Sequence, residues 1–282
     1  MTILVTGSTD GIGLATARVL LHAGHRVILH GRTEERVNSV VRSPEIERHK
    51  DRTATITADF SSLAEVDTMA AAVVDRFPDL QILVNNAGVM TPSRRESADG
   101  YELNLAVNHL APALLTLRLV NLLRSNRNLP GGARIVVVAS MVHEYNRINW
   151  PDLQFENGYD GQAAYGQSKV ANVMFTRVLS ERLSRSHDTA GLTVNALHPG
   201  VISTKLLHVF YGGGAPPEEG ARTSVYLATN PDVAGISGRY FADSREKKSW
   251  VLTGNSAESY RLWKASVEMI ERVVGPIGSI AS

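Results

Sequence analysis

The stretch TGSTDGIG, which spans Thr6 to Gly13, decides the fold of this chain. It lies between an apolar run, Ile3–Thr6, typical of a buried strand, and a periodic stretch, Gly11–Ala23, typical of a helix. Short runs rich in Val and Ile alternate with longer amphipathic stretches along the rest of the chain. This alternation indicates a parallel sheet covered by helices on both faces, and right-handed crossovers make such a sheet doubly wound.

The remaining predicted elements keep this alternation. The further strands are predicted at Arg26–His30, Thr53–Ala58, Ile82–Asn85, Ile135–Ala139, Thr193–Leu197 and Gly238–Phe241. The further helices are predicted at Leu63–Arg76, Tyr101–Arg124, Ala164–Arg185 and Glu218–Thr229. No linker or internal repeat divides the chain, so we predict one three-layer α/β domain of Rossmann type over residues 1–282. Loops near 143–161 and 205–217 are predicted to line a substrate site.

The glycines of TGSTDGIG have a spacing that suits a phosphate. Gly7 permits a tight turn, while Gly11 and Gly13 let the backbone N–H groups at a helix start approach a pyrophosphate. A glycine-rich turn without a ligand is the alternative, but its place between a first strand and a first helix predicts dinucleotide binding. The spacing departs from Gly-x-Gly-x-x-Gly and therefore indicates a different branch of the nucleotide-binding folds.

The composition narrows the class of protein. The 282 residues include 29 basic and 28 acidic side chains, a net charge of +1, which argues against a nucleic-acid binder with a basic excess. The chain has no cysteine, so disulfides, thiolate metal sites and cysteine nucleophiles are excluded. Neither His-Glu-x-x-His nor Gly-x-Ser-x-Gly occurs, and we predict no metal site and no serine hydrolase. The start of the chain shows no basic signal region, and Arg118 interrupts the longest apolar stretch, Leu110–Leu123. We therefore expect no membrane partner and a cytoplasmic location.

The residues after the second predicted strand bear on the choice of cofactor. A protein that prefers NAD places Asp or Glu there, where the carboxylate bonds the ribose 2′-hydroxyl. Here the strand runs into His30, Gly31 and Arg32, and the next carboxylate is that of Glu34. An arginine pairs with a 2′-phosphate, whereas a carboxylate repels it. Arg32 therefore favours NADP over NAD, with a solvated arginine at a helix start as the plainer alternative.

A Tyr-x-x-x-Lys pair occurs twice, and position distinguishes the two copies. Tyr165 and Lys169 lie on one face of a predicted helix that follows a strand ending at Ser140. Tyr260 and Lys264 have the same spacing but no comparable neighbours. Polar groups also end two other strands, Asn85-Asn86-Ala87-Gly88 and His198-Pro199-Gly200. Because ligands bind at the carboxyl ends of strands in a doubly wound sheet, these ends outline one crevice.

The motifs TGSTDGIG, ADFSSL, VNNAG, LAVNHL, VVVAS, AYGQSK and HPGVIST follow one another along the chain. In this order they resemble the short-chain dehydrogenase/reductase family from Thr6 to about Thr204. The segments SGRYFADSREKK and RLWKAS extend the likeness to its retinol-dehydrogenase-like branch. Several motifs in the expected order are far more specific than any one of them.

The resemblance implies a catalytic set of four side chains. Tyr165 would be the proton donor and acceptor, and Lys169 would hold the ribose and lower the pKa of Tyr165. Ser140 would bond the substrate oxygen, and Asn108 would support a water-linked proton relay. A positive charge about 5 Å away in an effective dielectric of ~20 is worth roughly 3 kcal/mol, or about two pKa units. That would bring a tyrosine with an ordinary pKa of about 10 towards neutral pH.

The resemblance also implies a set of cofactor contacts. They are Gly7, Ser8, Thr9, Gly11, Ile12, Gly13, Arg32, Asp59, Phe60, Asn86, Ala87, Gly88, Tyr165, Lys169, Pro199, Val201 and Thr204. Within this set, Asp59 would contact the adenine, and Asn85 with the backbone that follows it would line the cofactor. Val201 and Thr204 would flank the nicotinamide.

Two further features stay open on the sequence. Tyr165 lies 25 residues after Ser140, a long spacing for the family, and the loop between them either carries Trp150 and Phe155 to the substrate or is an inert excursion. His143 in this loop either touches substrate or has no such role. The helices predicted at Tyr101–Arg124 and Ala164–Arg185 carry more apolar residues than one buried stripe needs. Pairing of such helices in the family predicts a homodimer.

These features together predict an NADP-dependent oxidoreductase. It would interconvert a carbonyl and an alcohol of a hydrophobic small molecule, with Tyr165 as the acid and base. Two alternatives remain: a dinucleotide-sensing regulatory protein without catalysis, and an NADPH-dependent reductase of C=C or C=N bonds. The intact set of four side chains argues against a sensor, which needs no tuned tyrosine.

Overall fold

A single β-sheet forms the centre of the computed structural model, which describes residues 1–185, 191–209, 212–278 and 280. Within these residues the sheet has eight strands in the order β3-β2-β1-β4-β5-β6-β7-β8. The strands are β1 Thr2–Val5, β2 Arg26–Gly31, β3 Thr53–Thr57, β4 Leu80–Asn85, β5 Ala133–Val138, β6 Leu192–His198, β7 Tyr240–Ala242 and β8 Arg245–Lys247. The first seven strands pair in parallel, and β8 runs antiparallel to β7 at the edge.

Helices cover both faces of this sheet. They are α1 Gly11–His22, α2 Glu34–Val41, α3 Pro44–Glu47, α4 Leu63–Arg76, α5 Leu103–Leu105, α6 Ala111–Ser125, α7 Gly161–Arg185, α8 Pro217–Thr229, α9 Trp250–Thr253 and α10 Ser256–Val274. A π-helical turn, Ala106–Leu110, joins α5 to α6.

Two hydrophobic cores lie on opposite faces of the sheet because successive strand residues point in opposite directions. Ile3 and Val5 of β1 pack into one core with side chains from α1, α2 and α8. Leu4 packs into the other, larger core with side chains from α4, α6, α7 and α10. This burial on both faces explains why the strands read as continuous apolar runs rather than alternating ones.

The order of the strands creates a crevice. The chain moves outward from β1 to β2 and β3, and then returns so that β4 pairs with the other side of β1. At this reversal the connections leave the carboxyl ends of β1 and β4 in opposite directions. The glycine turn after β1 and the Asn85–Gly88 stretch at the end of β4 therefore meet at one edge of the sheet.

The predicted fold class is confirmed, and the element bounds differ mainly at their ends. The helix predicted from Leu63 to Arg76 has these bounds in the structure, whereas the one predicted at Tyr101–Arg124 begins at Leu103 and contains the π turn. Helix α2 and strand β8 were not predicted, because both are short and mostly polar. The apolar helix Leu103–Ser125 has the length and composition to cross a membrane, yet 94% of its most apolar window is buried inside the protein. It reads as a core helix.

Helix α10 covers the apolar surface on which the homodimer prediction was based. The ring of Trp263 stacks on that of Phe175 of α7, with 5.2 Å between ring centres. Ser266 Oγ also lies 2.8 Å from Nε2 of His109 in the π turn. The apolar residues in excess of one stripe are therefore buried within the chain, so they no longer argue for pairing between two chains.

Candidate functional site

The glycine turn has the backbone that its sequence requires. Gly7 and Gly11 have φ angles of 64° and 53°, in the left-handed region that favours glycine. A Cβ atom on Gly13 would lie 2.3 Å from the carbonyl oxygen of Gly7, so any side chain there would displace the turn. Asp10 caps α1 by accepting a hydrogen bond from Gly11 N, which leaves further N–H groups of the first turn facing the crevice.

The loop after β4 is attached directly to this turn. The hydroxyl of Thr6 accepts hydrogen bonds from the backbone N–H groups of Asn86 and Ala87, at 2.9 and 3.0 Å. The side-chain amide of Asn86 donates to the carbonyl oxygen of Thr6 at 2.8 Å. Both sides of the crevice are thus held as one unit, although they are about 80 residues apart in sequence.

His30 completes this unit from the second strand, and its role was not foreseen from the sequence. Its Nδ1 accepts a hydrogen bond from Gly7 N at 3.0 Å, and its Nε2 donates to the carbonyl oxygen of Ala58 at 3.1 Å. Burial lowers the pKa of His30 to about 4, so the ring is neutral at neutral pH and one nitrogen remains an acceptor. The only sequence signal was a polar side chain at the end of an otherwise apolar strand.

The other residues predicted to hold the adenosine half lie around the same edge. Ser8 is buried, and its hydroxyl accepts a hydrogen bond from His30 N at 2.9 Å. Asp59 is half-buried, with Oδ1 accepting from Ser61 N at 2.9 Å. Phe60 is buried with its ring 4.6 Å from that of His30. Thr9 and Ile12 are half-buried on the turn itself.

Arg32, from which the sequence predicted the choice of cofactor, follows the end of β2. It is exposed between the end of β2 and Thr33, which caps α2. In the part of the chain that the structure describes, Arg32 has no hydrogen bond and no ion pair. A side chain at the preceding Gly31 would displace its neighbours, because a Cβ would lie 2.5 Å from Cγ2 of Thr9 and 2.8 Å from Cγ2 of Val37.

Asn108 lies in the π turn with all of its side-chain polar atoms engaged. Its Oδ1 accepts from Val89 N at 2.7 Å, and its Nδ2 donates to Val89 O and to Ser168 Oγ, both at 2.9 Å. These bonds attach the helix of Asn108 to the loop after β4 and to α7. Single π turns within α-helices are frequent at functional sites, because they displace one residue from the regular ladder.

Ser140 and Tyr165 face each other at the end of β5. The hydroxyl of Ser140 caps a short 3₁₀ turn by accepting a hydrogen bond from Val142 N at 3.4 Å. Tyr165 is half-buried on α7. Burial raises the pKa of Tyr165 to about 12, and hydrogen bonding with the Ser140 side chain opposes that rise. The phenol is therefore protonated at neutral pH.

Lys169 lies one turn along α7 from Tyr165, behind its ring. The ammonium group is 5.4 Å from the ring centre and donates to the carbonyl oxygen of Val138 at 3.1 Å. Burial lowers the pKa of Lys169 to about 8, because desolvation disfavours the charged form. The causes acting on the Tyr165 pKa are burial and Ser140, so the predicted lowering of that pKa by Lys169 stays a prediction.

Gly88 shows how closely the two sides of the catalytic set approach. A Cβ built on this residue would lie 3.2 Å from Oδ1 of Asn108 and 3.7 Å from Nζ of Lys169. The structure thus brings Asn108, Ser140, Tyr165 and Lys169 to the carboxyl edge of β4 and β5, the edge predicted from the strand ends.

His143 supports Ser140 from behind. The ring is fully buried, its Nδ1 donates to the carbonyl oxygen of Ser140 at 2.6 Å, and its Nε2 lies 2.8 Å from Oγ of Ser249. Trp250 adds a hydrogen bond to the carbonyl oxygen of His143 at 2.9 Å. The residue therefore joins the end of β5 to the segment before α10, which is a structural task that sequence spacing did not predict.

Trp150 and Phe155 of the 143–161 loop do not reach the mouth of the site. The indole of Trp150 donates to Glu258 of α10 at 3.0 Å, and Phe155 is buried in the protein with its ring 6.2 Å from that of Tyr159. Instead, Tyr145 of this loop is 78% exposed, and Met141, next to Ser140, is 40% exposed. The middle of the loop thus contacts α10 through Trp150 and Gln154, and exposed apolar surface lies near its start, next to Ser140.

The segment after β6 crosses over the glycine turn. A Cβ on Gly11 would lie 3.3 Å from Cγ2 of Thr204, and Lys205 forms an ion pair with Asp10 at 2.5 Å. Pro199 is half-buried and Val201 is exposed at the start of this segment. Phe210 and Tyr211, two of the apolar residues expected to line the substrate site, lie outside the described residues.

These residues fit a dinucleotide. A turn that only glycine can form, with free N–H groups beside it, matches the pyrophosphate of a dinucleotide. The described residues contain no group of three or more His, Asp or Glu side chains that would hold a metal ion. The geometry therefore supports chemistry between a nucleotide cofactor and a small molecule placed against Ser140 and Tyr165.

Comparison with known proteins agrees with this geometry. The family model described as short chain dehydrogenase matches residues 1–211. Retinol dehydrogenase 14 of Mus musculus is 35% identical, over 95% of this chain and 85% of its own, and polyprenol dehydrogenase of Homo sapiens is 34% identical, over 94% and 84%. An NAD(P)-dependent gluconate 5-dehydrogenase from Beutenbergia cavernae, solved with NADP bound at low occupancy, aligns with a TM-score of 0.67 and 28% identity, over 86% of this chain and 94% of its own.

The matched model covers most of the chain, and the relatives are similar along nearly its whole length. The chain therefore belongs to the short-chain dehydrogenase/reductase family, and it is an NAD(P)-dependent enzyme of the retinol-dehydrogenase-like kind that interconverts carbonyls and alcohols.

Proposed function

We propose that the protein is an NADP-dependent oxidoreductase that interconverts an alcohol and a carbonyl of a hydrophobic small molecule. Tyr165 donates a proton to the carbonyl oxygen in reduction and takes one from the hydroxyl in oxidation. The observation that carries this proposal is the joint placement of Ser140, Tyr165 and Lys169 beside the glycine turn. The phenol keeps its proton at neutral pH and can donate it to a carbonyl oxygen, and this acid catalysis becomes efficient when the charge of Lys169 lowers the pKa of Tyr165 towards the working pH.

Each side chain of the set has a task that its surroundings support. Ser140 orients the carbonyl oxygen and polarises it, and Tyr165 supplies the proton to that oxygen in the direction of reduction. Lys169, charged below a pKa of about 8, stabilises the phenolate that Tyr165 leaves behind. Asn108 holds the loop after β4 against α7. When bound, the nicotinamide supplies or accepts the hydride.

The choice of NADP rests on Arg32. Its exposed guanidinium, with no partner among the described residues, suits a 2′-phosphate, and the first carboxylate after β2 is on helix α2. The related gluconate 5-dehydrogenase, which holds NADP, is consistent with this choice. Discrimination by one charge–charge contact is worth roughly 1.5–3 kcal/mol.

The class of substrate is inferred from the mouth of the site. Met141, Tyr145 and Val201 expose apolar surface at the ends of β5 and β6, where a substrate must pass to reach Ser140. The two relatives named above are dehydrogenases of retinol and polyprenol, which are hydrophobic alcohols. The cytoplasmic location, the lack of a membrane partner and the homodimer stay predictions.

A panel of carbonyl compounds with NADPH, followed at 340 nm, tests the reaction. We expect apolar aldehydes or ketones to be reduced faster than polar ones of the same size. Tight binding of NADPH with no oxidation by any compound would indicate a sensor. Reduction confined to conjugated C=C or to C=N bonds would indicate the other alternative.

The variant Arg32→Ala tests the choice of cofactor. Loss of a charge–charge contact worth roughly 1.5–3 kcal/mol lowers NADPH affinity about ten- to more than a hundredfold and leaves NADH affinity nearly unchanged. The ratio of the two dissociation constants, measured by quenching of protein fluorescence, is the deciding quantity. Arg36→Ala, one helical turn later, is the control for general loss of positive charge. An unchanged ratio in Arg32→Ala, with the parent protein preferring NADH, would show that Arg32 does not select the cofactor.

A further inference from the structure

A buried carboxylate lies outside the catalytic set and is not used by the reaction described above. Glu102 has no exposed surface and caps the helix that leads into the π turn of Asn108. Its Oε1 accepts from Asn104 N at 2.9 Å, and its Oε2 accepts from Leu105 N at 2.7 Å. Hydrogen-bond donors therefore satisfy both oxygens of this buried side chain.

The same carboxylate also bonds the segment that leads into α7. Oε1 of Glu102 accepts a hydrogen bond from the hydroxyl of Tyr159 at 3.0 Å. Nδ2 of Asn104 lies 2.7 Å from this hydroxyl and 3.0 Å from Oγ1 of Thr91, which follows the loop after β4. Burial raises the pKa of Tyr159 to about 12, so this phenol remains a donor at neutral pH. We call these four residues, Glu102, Asn104, Thr91 and Tyr159, the Glu102 network.

The network connects the three segments that carry the active residues. Glu102 lies six residues before Asn108, and Tyr159 lies six residues before Tyr165. At the level of the site the two helices are joined by hydrogen bonds from Asn108 Nδ2 to Ser168 Oγ and between His109 Nδ1 and Asn172 Oδ1. The bonds of the Tyr159 hydroxyl with Glu102 and Asn104 form a further attachment, about six residues upstream on both segments. Attachments at different heights fix both the distance and the angle between the helices.

We propose that Glu102 is a positioning residue for the reaction: through Tyr159 it sets the placement of Asn108 relative to the helix that carries Tyr165 and Lys169. The proposal rests on the proposed function, because it assigns the geometry of that same site. A displacement of about 1 Å in a reacting group costs on the order of a hundredfold in rate, so loss of the attachment through Tyr159 is expected to lower the rate by about tenfold.

The variant Tyr159→Phe breaks this attachment and keeps the aromatic ring in place. We expect kcat to fall about tenfold, while the dissociation constant for NADPH changes less than twofold, because no residue of the network lies on the glycine turn. Hydrogen exchange of the backbone amides of residues 103–110, followed by mass spectrometry, should become faster, and this measurement needs no substrate. Glu102→Gln, which replaces an acceptor by a donor opposite Leu105 N, should act in the same direction and more strongly.

Tyr101→Phe is the matched control. Tyr101 is adjacent to Glu102, it is also half-buried, and its hydroxyl donates to the carbonyl oxygen of Met269 at 2.8 Å, on α10 rather than on the segment before α7. Removing that hydroxyl should leave both kcat and the exchange of residues 103–110 as they are in the parent protein. Equal effects of the two variants would mean that the hydroxyls serve only general stability, and would overturn the proposal.

A double variant separates positioning from independent effects. If Tyr159 acts through Asn108, Tyr159→Phe should change kcat less than twofold when Asn108 is already Ala. If the losses in kcat of the two single variants multiply in the double variant, the positioning role is refuted. It is also refuted if Tyr159→Phe alone shows the turnover and the hydrogen exchange of the parent protein. Tyr165→Phe keeps the two proposals distinct. Full turnover in that variant overturns the proposed function, whereas loss of turnover there with parent-like Tyr159→Phe overturns only the role of Glu102.

Discussion

Helices α7 and α10 carry the same Tyr-x-x-x-Lys spacing in very different surroundings. On α7, Lys169 is 3% exposed, and Tyr165 faces Ser140 beside the glycine turn. On α10, Lys264 is exposed and the hydroxyl of Tyr260 donates to Glu181 at 2.7 Å. Arg185 donates to the same hydroxyl at 3.1 Å. The second tyrosine belongs to a network of charges that holds α10 on α7.

The difference shows what helical spacing can and cannot specify. Four residues of separation place two side chains on one face, whatever that face meets. The face of α7 meets the ends of β4 and β5, where burial changes the pKa of both groups, with Tyr165 raised to about 12 and Lys169 lowered to about 8. The face of α10 meets solvent and ion pairs. The strand ends opposite the helix decide the chemistry.

The largest expected effect is on kcat, and it should distinguish Tyr165 from Tyr260 when the hydroxyl of each is removed in turn. Tyr165→Phe should keep NADPH binding and lose about 10²- to 10⁴-fold in kcat, because the ring still packs but carries no proton. Tyr260→Phe should keep turnover within twofold. Initial rates with the best carbonyl of the panel measure both. A loss of less than tenfold in Tyr165→Phe would assign that residue to packing.

The pH dependence of kcat/KM gives an intermediate effect, which Lys169 should determine and Lys264 should not. The pKa of Lys169, about 8, lies below the ordinary value of about 10.4, so its charge is lost as the pH rises through 8. We expect kcat/KM for reduction to be level between pH 6 and 7.5 and to fall up to tenfold per unit well above pH 8. Lys264→Ala should leave this profile unchanged. A profile that is level to pH 10 would contradict the role given to the charge of Lys169.

The smallest expected effect is on the free energy of unfolding, and it comes from Tyr260 on α10 rather than from the active site. Tyr260→Phe removes a hydrogen bond to the partly exposed carboxylate of Glu181, which we expect to lower the free energy of unfolding by about 0.5–1.5 kcal/mol. Lys264→Ala, at an exposed position, should change it by less than about 0.5 kcal/mol. Urea denaturation followed by circular dichroism measures both. Equal stability of the parent and Tyr260→Phe would mean that the charge network does not hold α10.

Residue type and spacing were enough to predict the order of the elements and the edge at which they meet. A turn such as that of Gly7 and Gly13 forms with few alternatives, because only glycine accepts its dihedral angles and close contacts. Apolar runs of strand length between helical stretches similarly specify a doubly wound parallel sheet. These are local properties, so residue type and spacing were sufficient to predict them, whereas the catalytic roles of Asn108, Ser140, Tyr165 and Lys169 were expected from the resemblance to the family.

The pairing of side chains across long separations in sequence depends on the three-dimensional packing of the elements. No periodicity in the sequence predicts the hydrogen bonds that join His30 to Gly7, His143 to Ser249, and Glu102 to Tyr159. The cover that α10 places on α7 and on the π turn, and the packing of Trp150 against it, likewise arise from non-local contacts. Such contacts depend on shape and distance in three dimensions, whereas spacing in a sequence records only what lies on the same element.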